Sequence, residues 1–226
     1  MPILDYVYPL LGTTIPADHG YLLYSAISHL LPEIHLTEAA AADPSNPWAR
    51  VAIHPVNGTL VGNRALRIND GTRLGLRAPY VLAPKLLGLS GKPLRLGATT
   101  IRLGIPAVKA LLPAPRLSSR LVVIKGFQDP ATFLEAAIRQ LDALGIGGKP
   151  ILPLRRSAKS VEDLDGAKGD REIRRTLQIR DKIVVGFALE VLNLSQQDSI
   201  KLQELGLGGR RRFGCGVFVP PREDTE

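Results

Sequence analysis

The chain has 226 residues, 45% of them hydrophobic, and carries a net charge of +8. That length suits one large domain or two of ~100 residues, and a pI of about 9.9 favours acidic partners. Aromatic content of 5% argues against a binder built on many stacked bases. The single cysteine, Cys215, excludes an intramolecular disulfide, and no apolar run reaches the ~20 residues of a membrane span. The opening Met1-Pro2-Ile3-Leu4-Asp5 lacks the charged segment of a signal peptide, so a cytoplasmic protein with no membrane partner is expected.

Residues 3–11 alternate as a strand, with Leu4, Tyr6, Tyr8 and Leu10 on one face. Pro16-Ala17-Asp18 then starts a helix with Asp18 as its N-cap. Leu23, Ile27, Leu30, Leu31 and Ile34 recur at helical spacing until Pro32 interrupts it. Residues 39–47 read as an Ala/Pro-rich loop, 50–56 and 73–77 as strands, 79–89 as a helix stopped by Gly91, and 94–103 as a strand. The order is β-α-β-β-α-β.

The second half repeats it. Residues 120–125 read as a strand and 130–144 as an amphipathic helix stopped by Gly145. Residues 173–180 and 183–192 are strands joined at Arg180-Asp181-Lys182. Ser195 caps a helix over 195–205, and residues 213–219 form a closing strand. These elements predict an α+β fold of two tandem ferredoxin-like (βαββαβ) units. The units cover residues 1–105 and 119–226, joined by a proline-bearing linker over 106–118. Two such sheets side by side leave a groove.

The second unit carries the basic features. Gly206, Gly208, Gly209, Gly214 and Gly216 bracket Arg210-Arg211-Arg212. Glycines let a backbone approach a phosphate, and arginines offer planar forks to its oxygens. Arg171, Arg174, Arg175 and Arg180 place a basic edge near that loop. Arg155, Arg156, Lys159 and Lys168 lie in a stretch interleaved with Glu162, Asp163, Asp165 and Asp170. It reads as a solvated surface loop, or as one that orders on RNA.

No His-x-x-x-His, Cys-x-x-Cys, phosphate-binding loop or Gly-x-Ser-x-Gly elbow occurs, so the sequence supports neither metal nor cofactor chemistry. Histidine remains, and all four lie in the first unit: His19, His29, His35 and His54. Metal-free RNA cleavage needs a base for a 2′-hydroxyl, an acid for the leaving 5′-oxygen and cations for the phosphorane, and histidine titrates in range for both transfers. His19 opens the first helix, where the dipole favours neutral imidazole. His29 sits near its C-terminus on the boundary of the apolar face, and His35 follows in a loop that can reach a groove. His54 lies inside an apolar strand and reads as packing. Each of the others also has a structural reading, as a packed or solvated side chain.

Two ferredoxin-like units, a histidine by the first helix and a Gly-rich loop near the C-terminus resemble the RAMP superfamily. Ile15-Pro16-Ala17-Asp18-His19-Gly20-Tyr21 with residues 205–219 is similar to the CRISPR-associated repeat-RNA endoribonucleases, closest to the MYXAN subtype. The resemblance spans essentially the whole chain. It implies metal-independent cleavage within each CRISPR repeat of precursor crRNA, leaving a 2′,3′-cyclic phosphate or 3′-phosphate and a 5′-hydroxyl, with product retention and contact to other effector-complex subunits. The family's catalytic histidine varies in position, matching His19 or His29 in some relatives and His35 in others. The expected acid–base pair is His19 and His35, with His29 as rival. The family's lysine partner has no match beside the helix, leaving Arg210 to Arg212, Lys125 or Lys159 to supply the cation. Two other readings remain: a non-catalytic crRNA-binding subunit, and a module docking an acidic protein.

Overall fold

The alternation of residues 3–11 forms a strand whose buried face, Tyr6, Tyr8 and Leu10, seeds the first core. The computed structural model describes residues 1–62, 64–155 and 171–221. In chain order the elements are β1 (Ile3–Leu11), β2 (Thr14–Pro16), α1 (Gly20–Leu30), α2 (Glu38–Ala42), β3 (Ala52–Ile53), β4 (Thr59–Val61), β5 (Ala65–Arg67), β6 (Arg73–Pro79), α3 (Ala83–Leu87), β7 (Pro93–Leu96), β8 (Thr99–Leu103) and β9 (Ala107–Ala110). There follow β10 (Leu117–Val122), α4 (Pro130–Ala143), β11 (Lys149–Ile151), β12 (Leu154–Arg155), β13 (Arg171–Glu172), β14 (Arg174–Ile179), β15 (Lys182–Leu192) and α5 (Gln196–Leu205). The fold is mixed α+β with antiparallel sheets. Among the described residues no helix is long and apolar enough to cross a membrane.

The first sheet runs β3-β6-β1-β8-β7, and β9 also pairs with β1. Leu23, Tyr24 and Ile27 on one stripe of α1 join Tyr6, Tyr8, Leu74 and Leu76 in its core. The second sheet runs β10-β15-β11, with β14 on β15. There Phe133, Ala137 and Leu141 of α4 and Leu202 of α5 share a core with Phe187, Leu189 and Val191 of β15. Asp129 caps α4 and Ser195 caps α5, as a short polar side chain before an apolar helix should.

A buried arginine ties the halves together. Arg77, 1% exposed, grips Asp5 with Nε and Nη2 at 2.7 and 2.8 Å. Its Nη1 donates to the carbonyls of Gln203 and Phe218 at 2.9 and 2.8 Å, on the far side of the seam. Burial works against the charge on Asp5, but the hydrogen bonds from Arg77 and His54 outweigh it and hold that carboxyl well below the usual carboxylate range.

Several expectations change. Asp18 does not cap α1; residue 19 occupies that position, and Asp18 Oδ2 accepts from Gln178 N–H of β14 at 2.8 Å. Residues 39–47 include the short helix α2, capped by Thr37. The strand expected over 50–56 shrinks to Ala52–Ile53, because Pro47 opens a 3-10 turn before it and Pro55, lacking an N–H, follows it. Residues 79–89 split into a 3-10 turn (Tyr80–Leu82) and α3. Residues 94–103 form the β7–β8 hairpin, turning at Gly97 with φ +65°. Residues 213–219 are not a ladder strand. Gly214 and Gly216 take φ +85° and +62°, which breaks the alternation and leaves one bridge, Ser118 to Val219. Strands β2, β4 and β5 form a small sheet that the sequence pattern did not announce.

Candidate nucleic-acid interface and active site

The segment after α5 is built by its glycines. A Cβ on Gly206 would lie 2.3 Å from Gly216 O, on Gly208 2.4 Å from Val123 O, and on Gly216 2.0 Å from Leu207 O. These three glycines fold the loop onto itself and onto the second sheet, where Gly216 N–H donates to Leu121 O at 2.7 Å. Gly214 is buried beside Ile53 and Pro55 of the first half, and only Gly209 opens to free space. The loop's conformation thus uses most of its glycines within the protein.

The 3-10 turn Arg211–Phe213 splits the arginines by direction, since successive residues rotate by about 120°. Arg210, in the left-handed region, is exposed. Arg211 turns inward. Burial, with Arg77 and Arg50 nearby, pulls its guanidinium down to about 10. Arg212 Nη1 donates to Ile34 O at 2.6 Å, beside His35. Phe213 packs edge-on against Tyr24 at 4.7 Å between centroids and contacts Tyr21 at 6.1 Å. This approach depends on Gly20: a Cβ there would stand 2.4 Å from Phe213 O and 2.8 Å from Leu177 Cδ1.

A cavity of about 550 Å³ opens where this turn meets α1 and the β14–β15 hairpin, lined by Tyr24, Ser28, His35, Arg180, Lys182 and Arg212 among others. His35 is exposed, and its Nδ1 lies 2.7 Å from Tyr24 Oη. Burial raises the Tyr24 phenol above its usual range, with Arg212 opposing, so the hydroxyl stays protonated at neutral pH. Among the described residues Nε2 of His35 has no hydrogen-bond partner. Arg180 Nε donates to Tyr21 Oη at 3.1 Å, and the Lys182 ammonium makes no hydrogen bond or ion pair among the described residues.

The four histidines line four different cavities. His19 is 3% exposed and uses both ring nitrogens: Nδ1–H donates to Pro16 O at 3.0 Å, and Nε2 accepts from Val56 N–H at 2.9 Å. Burial pulls it down to about 4 against the Pro16 bond, and Arg120 adds to the effect. Burial favours the neutral ring, and both ring nitrogens are taken, so none is left for substrate. His29 is exposed, holds Ser25 O of its own helix at 2.6 Å, and lines a separate hollow with Arg95. His54 packs against Gly75, with Nε2 3.2 Å from Asp5 Oδ1.

On β14 the alternation holds. Arg175, Leu177 and Ile179 turn inward, while Arg174, Thr176 and Gln178 are exposed. Arg174 and Arg175 line the cavity that holds His19, whereas exposed Lys125 lines neither it nor the His35 cavity. Arg155 and Arg171 oppose each other in the β12–β13 ladder, and Arg156 and Lys159 lie outside the described residues. Sequence reading missed Arg64, Arg120 and Lys182 as site members, and had Tyr24 only as one of several first-helix side chains that could assist or simply pack. Tyr24 carried a signal, since residue 24 and residue 35 bracket Pro32, but only the chain reversal there brings them together. Among the described residues no group of three or more His, Cys, Asp or Glu side chains could hold a metal ion.

This mixed α+β fold with antiparallel sheets is shared with several solved structures. One is titled "CRISPR associated protein Cas6" (TM-score 0.61, 11% identity, 98% of this chain and 99% of that one). Another is a Cas6-related protein from Pyrococcus furiosus (0.59, 13%, 96% and 98%). A third is described as a RAMP protein binding different RNA substrates (0.56, 13%, 96% and 98%). Residues 4–223 match the family described as Cas6 CRISPR. The chain is also 36% identical over 221 residues to the CRISPR-associated endonuclease Cas6 of Myxococcus xanthus strain DK1622, covering 98% of this chain and 83% of that protein. The chain belongs to the Cas6 family.

Proposed function

We propose that this protein is an endoribonuclease that cuts CRISPR repeat RNA in the groove between two ferredoxin-like units, without a metal ion. The strand orders β3-β6-β1-β8 and β10-β15-β14, closed by the Ser118–Val219 bridge, support the tandem units. Of the linker expected over 106–118, β9 (Ala107–Ala110) lies back on β1 and Leu117 already opens β10, so residues 111–116 serve as the join and the unit from β10 onward carries the arginine turn. The observation that carries the catalytic reading is the 2.7 Å Tyr24–His35 hydrogen bond inside a cavity walled by Arg212, Arg180 and Lys182.

In this reading Nδ1–H of His35 donates to Tyr24 Oη, which leaves Nε2 to take the 2′-hydroxyl proton. The 2′-oxygen attacks phosphorus and the bond to the 5′-oxygen breaks. Lys182, the cation of this wall without a protein partner among the described residues, protonates the departing oxygen. Arg212, held by Ile34 O, faces the charge that builds on the phosphorane. The products are a 2′,3′-cyclic phosphate and a 5′-hydroxyl. His19 acts as a brace between Pro16 and Val56 and not as the second proton carrier.

The test is incubation with repeat RNA in EDTA. The expected result is one cut per repeat with those ends, no cut when the scissile nucleotide is 2′-deoxy, and no cut by His35→Ala at unchanged RNA affinity. A His35→Ala protein that cuts at the normal rate overturns the catalytic assignment. RNA bound tightly but intact under all conditions assigns the chain to crRNA binding alone.

A further inference from the structure

Arg120 is a guanidinium in an unusual position. It lies on β10, at the wall shared by two inter-sheet cavities of about 320 and 710 Å³. Burial lowers its pKa, and Asp18 opposes this only through its field. Asp18 Oδ2 is already committed to Gln178 N–H at 2.8 Å. Among the described residues Arg120 donates no hydrogen bond and forms no ion pair within 4.0 Å, so its five N–H donors have no protein acceptor. Partly burying a cation costs free energy that a native protein normally recovers from a partner, and a bound anion is the natural one.

The surroundings match. Arg64 from the turn before β5 and Arg174 and Arg175 from β14 line the smaller cavity with Arg120, against the single carboxylate of Asp18. Neighbouring His19 is neutral and adds no charge. Phe213 lines both this cavity and the His35 cavity, so one ring divides them. Gly20 of α1 faces the first and Tyr24 and Ser28 the second. At 1.5 Å per residue those positions are roughly 6 to 12 Å apart along the helix, the scale of one or two nucleotides of an extended RNA.

We propose that this arginine cavity is a second phosphate subsite, which seats a backbone phosphate one or two nucleotides from the scissile linkage. The inference rests on the ribonuclease reading above and extends it. The scissile phosphate sits at His35, a neighbouring phosphate pairs with Arg120 and Arg174, and Phe213 separates the two. The subsite sets where along the strand the cut falls, because phosphate contacts fix register.

The experiment is a methylphosphonate scan of the repeat RNA, which removes one backbone charge at a time, on a substrate made uncleavable by a 2′-deoxy scissile nucleotide. For the unsubstituted protein, one linkage within two nucleotides of the cut should weaken binding about tenfold. Arg120→Gln should bind the all-phosphate RNA about tenfold more weakly and lose sensitivity at that linkage alone. Exposed Arg174→Gln provides the same readout should Arg120→Gln not fold. A flat scan within two nucleotides of the cut, or a sensitive linkage equally sensitive in both variants, overturns the subsite. If the unsubstituted protein neither binds nor cuts repeat RNA, the ribonuclease reading fails instead.

Discussion

At the scale of single residues, neighbours that look alike in sequence do different work. His19 and His35 both flank α1, yet one is sealed by two backbone bonds and the other is exposed beside a phenol. Tyr24→Phe should therefore keep RNA affinity but lower the cleavage rate about 10- to 100-fold, as measured in single-turnover assays. His19 makes a different prediction. Its folded pKa of about 4 lies below the ordinary 6.5, so the unfolded chain binds the extra proton first. Stability is complete above pH 6.5 and falls as pH drops toward 4, by up to about 3 kcal/mol. Urea midpoints of a His19→Gln protein should be flatter than those of the unsubstituted protein across that window. A Gly20→Ala change would gain about 1 kcal/mol of helix propensity. The 2.4 Å approach to Phe213 O is backbone against Cβ and wins, so that protein should be less stable and slower to cut.

At the scale of elements, the arginine turn is the informative case. The sequence offers three adjacent arginines, and a 3-10 turn sends Arg210 to solvent, Arg211 inward toward Arg77 and Arg212 to the His35 cavity. Arg210→Ala should weaken RNA binding and reduce its salt slope by about one. Arg212→Ala should lower the cleavage rate far more than affinity. Arg211→Ala should lower the melting temperature first. The helices α1, α4 and α5 and the strands β1, β14 and β15 were legible because their apolar periods, and the Ser195 cap of α5, are local. The terminal strand was not, since the positive φ of Gly214 goes with packing against Ile53 and Pro55, and that of Gly216 with packing against Leu121 and Leu207. The β7–β8 hairpin was hidden because one continuous alternating pattern fits both a long strand and a turn at Gly97.

At the scale of the whole molecule, the groove exists because the two sheets are locked. Arg77 reaches from β6 across the seam to the end of α5 and to Phe218. Arg77→Met would leave half-buried Asp5 with His54 as its remaining partner and strand two carbonyls, and should cost about 3–5 kcal/mol in urea unfolding. Cleavage should fall with it, since both cavities lie along the same seam.

The sequence alone determined the charge, the main helices, the alternation of β1 and β14, the presence of an arginine loop and the resemblance to repeat-RNA endoribonucleases. All of these are local patterns or compositional facts. Only the tertiary structure decided which histidine meets a tyrosine, which arginine meets that pair, and that Arg120 lines a cavity without a protein acceptor. Those are contacts between residues far apart in the chain, from Ile34 to Arg212 and from Asp18 to Gln178, and no local period encodes them. The arginine loop stands as the clearest example: its composition announced a basic loop, and its packing turned the three arginines in three different directions.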